Sequence, residues 1–404
     1  MTDENKSSVA PSSKILFLSE QHVQQALDLQ GCLDANEQSL MALTDKVPGM
    51  EAQVPTRLAL PYKSDSTAAQ DWTLFKPASC RLSERQGGES DGSMMMMGCK
   101  LVSVRAANPS RGLPLVPATI VLLNATTGQV QALVSATYLT AARTAAGSAL
   151  ATRAALLGSH LKSSNRMPMQ HLVVFGAGLQ AKLHIHCIAL ALGVKRLPRL
   201  TIVNRSLDRA QTLQKDLIQD GYTSQETSKI LPLDHPERIA VALSTADCVV
   251  AATNTSTPLF QGTDLALDRC PRTCHINGIG SYTPEMEEIP SDFVASMDCQ
   301  AVWIDTPQAT EVGDLKGLVK GSQNSKTVLL GDILWQNQQQ ERHNSSSTDA
   351  TIAADGVSQN ESSVGNGRCT FYKAVGTAIQ DVVTADLVVR RARELGIGTE
   401  VDMG

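Results

Sequence analysis

The chain has 404 residues, 42% of them hydrophobic and 19% charged, a composition of a folded, water-soluble protein with room for more than one domain. Thirty-five basic residues against forty acidic ones leave a net charge of −5, the wrong balance for a duplex nucleic-acid binder, and 3% aromatic residues argue against base-stacking platforms and membrane belts. There is no membrane-length apolar run and no signal-peptide pattern, and the nine Cys, none in a CxxC pair, read as reduced thiols, so the sequence predicts a cytoplasmic chain without a metal site.

In chain order, residues 1–13 read as a disordered tail. KILFLSEQHVQQAL predicts a strand, Ser19 as an N-cap, and a helix. Residues 80–97, CRLSERQGGESDGSMMMM, predict an irregular loop, with Met94–Met97 as a flexible apolar edge feeding a strand at 100–106. ATIVLLNATTGQVQALVSAT predicts a hairpin turning at Thr126-Thr127-Gly128. Residues 14–138 therefore read as an antiparallel sheet with a helix. An Ala- and Leu-rich helix begins at Leu139 and ends near Gly158. Five short apolar strands follow, in QHLVVFGAG, LTIVNRS, ADCVVAATN, TCHINGIG and AVWIDT, with helices between the first of them. That alternation is the spacing of βαβ units, so residues 139–335 predict a parallel, dinucleotide-binding Rossmann domain. Residues 336–368 contain no Leu, Phe, Tyr or Trp and read as a disordered insertion. CTFYKAVGTAIQDVVTADLVVRRARELG predicts a long amphipathic helix stopped at Gly396, so that 369–404 joins 14–138 in a substrate and dimerisation domain. The fold class is α/β with a second, α+β domain.

Gly176-Ala177-Gly178-Leu179-Gln180-Ala181 follows one strand and opens a helix, the setting a dinucleotide fingerprint requires. Gly176 permits the tight turn, Gly178 the approach of a pyrophosphate, and Ala181 close packing of helix on strand. At the end of the next strand, Asn204-Arg205-Ser206 stands where an NAD enzyme usually has a carboxylate. Arg205 attracts a 2′-phosphate and Ser206 can donate to it, which predicts NADPH over NADH.

Gly98-Cys99-Lys100, Asn108-Pro109, Leu139-Thr140-Ala141-Ala142-Arg143-Thr144-Ala145-Ala146, the Gly176 motif, Asn204-Arg205-Ser206, Ala252-Thr253-Asn254, Gly278 to Pro284, Glu311-Val312-Gly313-Asp314 and FYKAVGTAIQDVVTADLV occur in one order. Together they resemble the ornithine cyclodeaminase/mu-crystallin family. The resemblance implies a homodimer acting on small amino or imino acids. It assigns Arg143, and more loosely Arg57, to the substrate carboxylate and Lys100 to the active site, where it would polarise or protonate the imine nitrogen. Thr253, Asn254 and Gly280 are expected beside the cofactor. Where the cyclodeaminases carry an Asp after the fourth strand, this chain has Tyr282, a poor base at neutral pH. The reading is therefore NADPH-dependent reduction of a cyclic ketimine such as Δ1-piperideine-2-carboxylate or Δ1-pyrroline-2-carboxylate. Its alternatives are an ornithine cyclodeaminase-like lyase, an amino-acid dehydrogenase or N-(carboxyalkyl) amino-acid synthase, and a non-catalytic NADPH-dependent binding protein. His184 and His186, two apart on a helix, do not form a metal pair, and His275 reads as a buried structural residue.

Overall fold

The structure, a computed structural model, describes residues 14–63, 70–83, 93–158, 169–267, 273–311, 313–315, 318, 327–346 and 368–402. The tail expected at 1–13 lies outside the described residues, as do 84–92 of the expected loop and 347–367 of the expected insertion.

Strand β1 (Lys14–Leu18) leads into helices α1 (Glu20–Ala26) and α2 (Leu29–Ala42). Ser19 caps α1 as expected: its Oγ accepts from the His22 amide at 3.3 Å, and His22 Nδ1 accepts from the Ser19 amide. Then come β2 (Glu51–Gln53), β3 (Leu58–Lys63), β4 (Gln70–Ser83), β5 (Ser93–Val104), the hairpin of β6 (Ala118–Leu123) and β7 (Val130–Ser135), and α3 (Thr137–Leu157). The second half runs β8 (Leu172–Phe175), α4 (Leu179–Ala191), β9 (Leu200–Asn204), α5 (Leu207–Gln219), β10 (Ser228–Pro232), α6 (Pro236–Leu243), β11 (Cys248–Ala251), β12 (Thr273–Gly278), α7 (Ser291–Ala295), β13 (Cys299–Ile304), β14 (Thr327–Leu329), α8 (Leu330–Ser346), β15 (Arg368–Lys373), α9 (Ala378–Leu395) and β16 (Thr399–Asp402).

These strands form two sheets. The first, in order β16-β1-β7-β6-β5-β4-β2 with β3 also on β4, is antiparallel except where β1 meets β7. Period-two burial defines its inner face: Lys76, Ala78, Cys80 and Leu82 on β4, and Met96, Gly98, Lys100 and Val102 on β5. Helix α9 covers that face. Gly98 lets it approach, since a Cβ there would stand 2.7 Å from the Val121 carbonyl oxygen and 3.3 Å from Val382 Cγ2. The second sheet, β10-β9-β8-β11-β12-β15-β13-β14, is parallel at every pairing. Its central strands LVVF and CVVA are buried throughout, as a sheet covered on both faces requires. The strand order reverses between β8 and β11, and the crevice at such a switch point is where a dinucleotide binds.

Four sequence expectations need correction. Residues 80–83 and 93–97 are strand rather than loop: Met94–Met97 lie in β5 and pair with β4, and from Met97 onward β5 pairs with β6 as well. The polar flanks obscured an alternation that runs through both strands. Strand β10, SKILP, was not anticipated, so the strand before Thr253 is the fourth of the parallel sheet in chain order. The stretch 336–346, read as disordered, completes helix α8, which is anchored by buried Leu330 and Leu334 and by Arg342 lying 6.0 Å over the Trp335 ring. Gln, Glu and Arg are good helix formers, and absence of large apolar residues does not cancel that once a helix is anchored at one end. Finally, CTFYK is not helical. It forms β15 between β12 and β13 of the second sheet, and Gly376, at φ +78°, separates it from α9. A short apolar run does not distinguish strand from helix by periodicity.

Among the described residues no helix is long and apolar enough to cross a membrane. Cys32, Cys80, Cys99, Cys187, Cys248 and Cys274 are free thiols. Gly98→Ala drives a methyl group against backbone between β6 and α9 and is expected to cost about 1–3 kcal/mol of stability. A urea unfolding midpoint equal to that of the unmodified protein would contradict this packing.

Candidate functional site

The centre of the site is Asp381, in the first turn of α9 and fully buried. Its Oδ1 accepts from Lys100 Nζ at 2.7 Å and from Arg143 Nε at 2.8 Å. Its Oδ2 lies 3.8 Å from Lys76 Nζ. Lys100 comes from β5, Arg143 from α3 and Lys76 from β4, so one carboxylate gathers three cations from three elements. Burial raises the pKa of Asp381, but Arg143, Lys100 and Lys76 outweigh it and hold the carboxyl at about 2. Burial pushes Lys100 well down, against the pull of Asp381 and with the push of Arg143 and Lys76. Lys76 is lowered to about 8 by burial and by Arg143 and Arg57, with Asp381 and Asp305 opposing.

The remaining donors are held as well. Lys100 Nζ reaches Thr140 Oγ1 at 3.4 Å, and Arg143 reaches Gln380 Oε1 at 3.4 Å. Lys76 Nζ donates to the Gly376 carbonyl at 2.8 Å. Gly376 must be glycine on two counts: its φ is positive, and a Cβ would lie 2.6 Å from both terminal nitrogens of Arg143. The amides of Val375 and Gly376 donate to Asp305, which follows β13.

A shallow, open cleft with a cavity volume of about 30 Å³ adjoins this cluster, with Arg57, Lys76, Thr306, Gln308, Gly376 and Thr377 in its wall. Of the cations expected in the site, Arg57 faces the cleft, whereas Lys100 and Arg143 lie behind Lys76 and Gly376 and are 1% and 4% exposed. Sequence reasoning missed Lys76, Asp305 and Asp381. Asp381 had a readable signal: it shares a stripe with Ala385, Val388 and Ala392 of α9, where a carboxylate is out of place unless paired.

At the switch point, Gly176 turns at φ +109°, and a Cβ there would stand 2.6 Å from the Ala252 carbonyl oxygen. A Cβ on Gly178 would meet nothing within 4 Å, and no side chain caps α4. Space and unpaired first-turn amides of Leu179, Gln180 and Ala181 therefore meet in one place, which fits a dinucleotide pyrophosphate. At the end of β9, Asn204 Nδ2 donates to the Ser206 carbonyl at 2.7 Å, and Ser206 Oγ caps α5 by accepting from the Arg209 amide. Its hydroxyl hydrogen stays available. Arg205 is exposed and pairs with no carboxylate among the described residues.

The loops after β11 and β12 are held by a second buried carboxylate that the sequence did not reveal. Glu288 Oε1 accepts from the amide and hydroxyl of Thr253, and Oε2 from the amides of Gly280 and Ser281. Burial pushes its pKa up to about 7, against Lys373 and the Thr253 donors. A Cβ on Gly280 would overlap the Thr253 carbonyl oxygen. Beneath Glu288, Asp314 accepts from the Glu288 amide at 2.7 Å and pairs with Lys373 at 3.1 Å, both side chains fully buried. Asn254 is exposed at the mouth of the crevice, and Tyr282 is half-buried, with burial raising its pKa.

His275 is buried and hydrogen-bonded, as expected. His275 bonds Thr370 and Asn277 in the sheet, and His184 bonds Ser148 and the Gln180 carbonyl. His186 stacks on Tyr222 at 4.2 Å. Among the described residues no group of His, Cys, Asp and Glu converges as a metal site.

Comparison with known proteins gives this arrangement its context. An uncharacterized cyclodeaminase of Dictyostelium discoideum is 26% identical over 407 residues, covering 96% of this chain and all of that protein. A Delta(1)-pyrroline-2-carboxylate reductase of Bacillus cereus is 25% identical over 352 residues, covering 86% of this chain and 89% of its own length. The Delta(1)-pyrroline-2-carboxylate reductase of Thermococcus litoralis, solved with NADH and L-proline, superposes with a TM-score of 0.71 at 20% identity, over 96% of this chain and all of that one, which establishes a common fold. The profile of the ornithine cyclodeaminase/mu-crystallin family matches residues 89–396, and the chain belongs to that family.

Proposed function

We propose that the protein is a nicotinamide-dependent reductase of small 2-imino acids, using NADPH and acting on a cyclic ketimine such as Δ1-piperideine-2-carboxylate or Δ1-pyrroline-2-carboxylate. The observation that carries this reading is the buried Lys100–Asp381–Arg143 cluster behind a cleft whose wall holds Arg57 and the largely buried Lys76. Such a cluster recognises a carboxylate, and the Delta(1)-pyrroline-2-carboxylate reductases among the relatives are named for a carboxylate-bearing imine.

When bound, a reduced nicotinamide supplies the hydride, and the residues of this chain do the rest. The first-turn amides of α4 hold the pyrophosphate, Arg205 and Ser206 take the 2′-phosphate, and Thr253, Asn254 and Gly280 line the side of the crevice across from Gly176. Arg143 and Arg57 hold the substrate carboxylate, for which a guanidinium is the matching partner. Lys100 hydrogen-bonds or protonates the imine nitrogen. Burial lowers its affinity for the proton, so donation is easier than from a solvated lysine, while Asp381 keeps the ammonium in place. Tyr282 favours reduction over deamination: a phenol whose pKa is raised by burial does not replace a carboxylate base.

A homodimer fits the outer face of the first sheet, where Phe75, Met97, Leu101 and Val121 are only half-buried and Met95 is 47% exposed.

Three results are expected. Purified protein oxidises NADPH with cyclic imino acids and not with saturated amino acids alone; ammonia release from ornithine without net NADPH use would indicate the lyase instead. Lys100→Met lowers kcat by about a hundredfold or more while cofactor affinity, read by quenching of protein fluorescence, is retained; unchanged kcat removes Lys100 from the mechanism. Arg205→Ala raises KM for NADPH by about tenfold with little change for NADH. The Thermococcus reductase was solved with NADH, so the NADPH preference rests on Arg205 and Ser206, and an equal effect on both cofactors overturns it.

A further inference from the structure

The cations of the site form a row across the first sheet. Lys76 of β4 and Lys100 of β5 are direct cross-strand partners. The pairing Leu58↔Phe75 puts Arg57, one residue before β3, beside Lys76. Arg57, just before β3, thus stands next to Lys76 and Lys100 on β4 and β5, neighbouring strands lying about 4.8 Å apart. Like charges directly opposite one another destabilise a sheet. Asp381 relieves the Lys100 end, with Arg143 added there from α3. The other end is relieved less: Lys76 Nζ stands 3.8 Å from Asp381 Oδ2, the longest of the three pairs, and donates to the Gly376 carbonyl. Arg57 pairs with no carboxylate among the described residues, and both side chains line the open cleft.

The local charge does not balance. Among the described residues, Arg57, Lys76, Lys100 and Arg143 meet Asp381 and Asp305 as carboxylates, so basic groups outnumber acidic ones by two. A monocarboxylate neutralises one of them. Both arginines then converge on a single group and Lys76 is left over. Two acidic groups neutralise both, one at the Arg143–Lys100 end and one at the Arg57–Lys76 end. We infer, in place of the cyclic monocarboxylate proposed above, that the substrate is a 2-imino dicarboxylate, whose second acidic group is bound by Lys76 together with Arg57, which leaves the 2-carboxylate to Arg143. The inference rests on the imine-reductase reading for its reaction, and on the cationic row alone for the two anionic groups. The reaction balances as for any imine: hydride adds to the imine carbon, one proton goes to nitrogen, and the dinucleotide leaves oxidised.

The test compares imines and unreactive anions on the full-length protein. Imines of 2-oxoglutarate or oxaloacetate, formed in ammonium buffer, are set against Δ1-pyrroline-2-carboxylate. Thermal unfolding is followed with glutarate or butyrate at matched ionic strength. The expected result is a kcat/KM at least about tenfold higher for the dicarboxylate, the size of one charge-assisted contact, with glutarate raising Tm and butyrate leaving it unchanged. Lys76→Met abolishes the preference chiefly through KM, along with the glutarate shift, and Lys76→Arg restores both. Reduction of the monocarboxylate as fast as or faster than the dicarboxylate, or an equal loss for both in Lys76→Met, overturns the inference and leaves the reductase reading standing. A Lys76-dependent glutarate shift with no imine reduced does the reverse: the reductase reading falls and the dianion site stands.

Discussion

A single buried carboxylate determines how this chain closes on itself. Asp381 is out of contact with water, and burying a charge costs several kcal/mol unless partners take the place of the solvent. Here the partners come from β4, β5 and α3, so the first turn of α9 can lie in only one place, over the inner face of the first sheet. Its position near the start of a helix adds the favourable sense of the helix dipole. Removing Asp381 would strand three buried cations. The small residues around it follow from that demand: Gly98 lets α9 come close to the sheet, and Gly376 leaves room for the Arg143 guanidinium.

The same segment ties the two sheets together. Strand β15 belongs to the parallel sheet and α9 packs on the antiparallel one, so the loop between them spans the join. Asp305, just after β13, accepts the amides of Val375 and Gly376, and Lys76 of β4 donates to the Gly376 carbonyl. Gly376 is therefore gripped from both sides, and the cleft lies against it. Glu288 plays the corresponding part deeper in the parallel sheet. By accepting amides from the loops after β11 and β12, it fixes two strand ends where the crevice opens. Both sides of the candidate site are thus shaped by carboxylates that accept backbone or cationic donors, which is why buried charge is concentrated there.

What was legible in the sequence follows a physical division. The parallel strands, the glycine turn at Gly176, the helix caps at Ser19 and Gly158 and the hairpin at 126–128 are written in local pattern, and local pattern is what a single sequence displays. β10 and β15 were missed because short strands carry little periodic signal, and α8 because its anchoring by Leu330 and Leu334 is tertiary. Arg57, Lys100 and Arg143 were reached through an ordered set of motifs, not through their chemistry, since a lone Lys in a strand reads as solvated. Lys76 illustrates the limit. Its alternation with Ala78, Cys80 and Leu82 marks a buried face, but nothing local says that β3 and β5 bring Arg57 and Lys100 to either side of it.

That convergence also explains how a chain with a net charge of −5 can attract an anion. Charges on the solvated surface are screened within about 10 Å at ordinary ionic strength, so the overall acidity reaches the cleft only weakly. The row of cations acts at contact distance in a medium of lower polarity, where the same charges interact more strongly. Its like-charge repulsion is already present in the folded protein, fixed by strand register and by Asp381. On the proposed reading, an incoming carboxylate relieves a repulsion that folding has imposed. The proposed function then has the sheet orient the substrate, and the crevice at the ends of β8 and β11 present the cofactor to it.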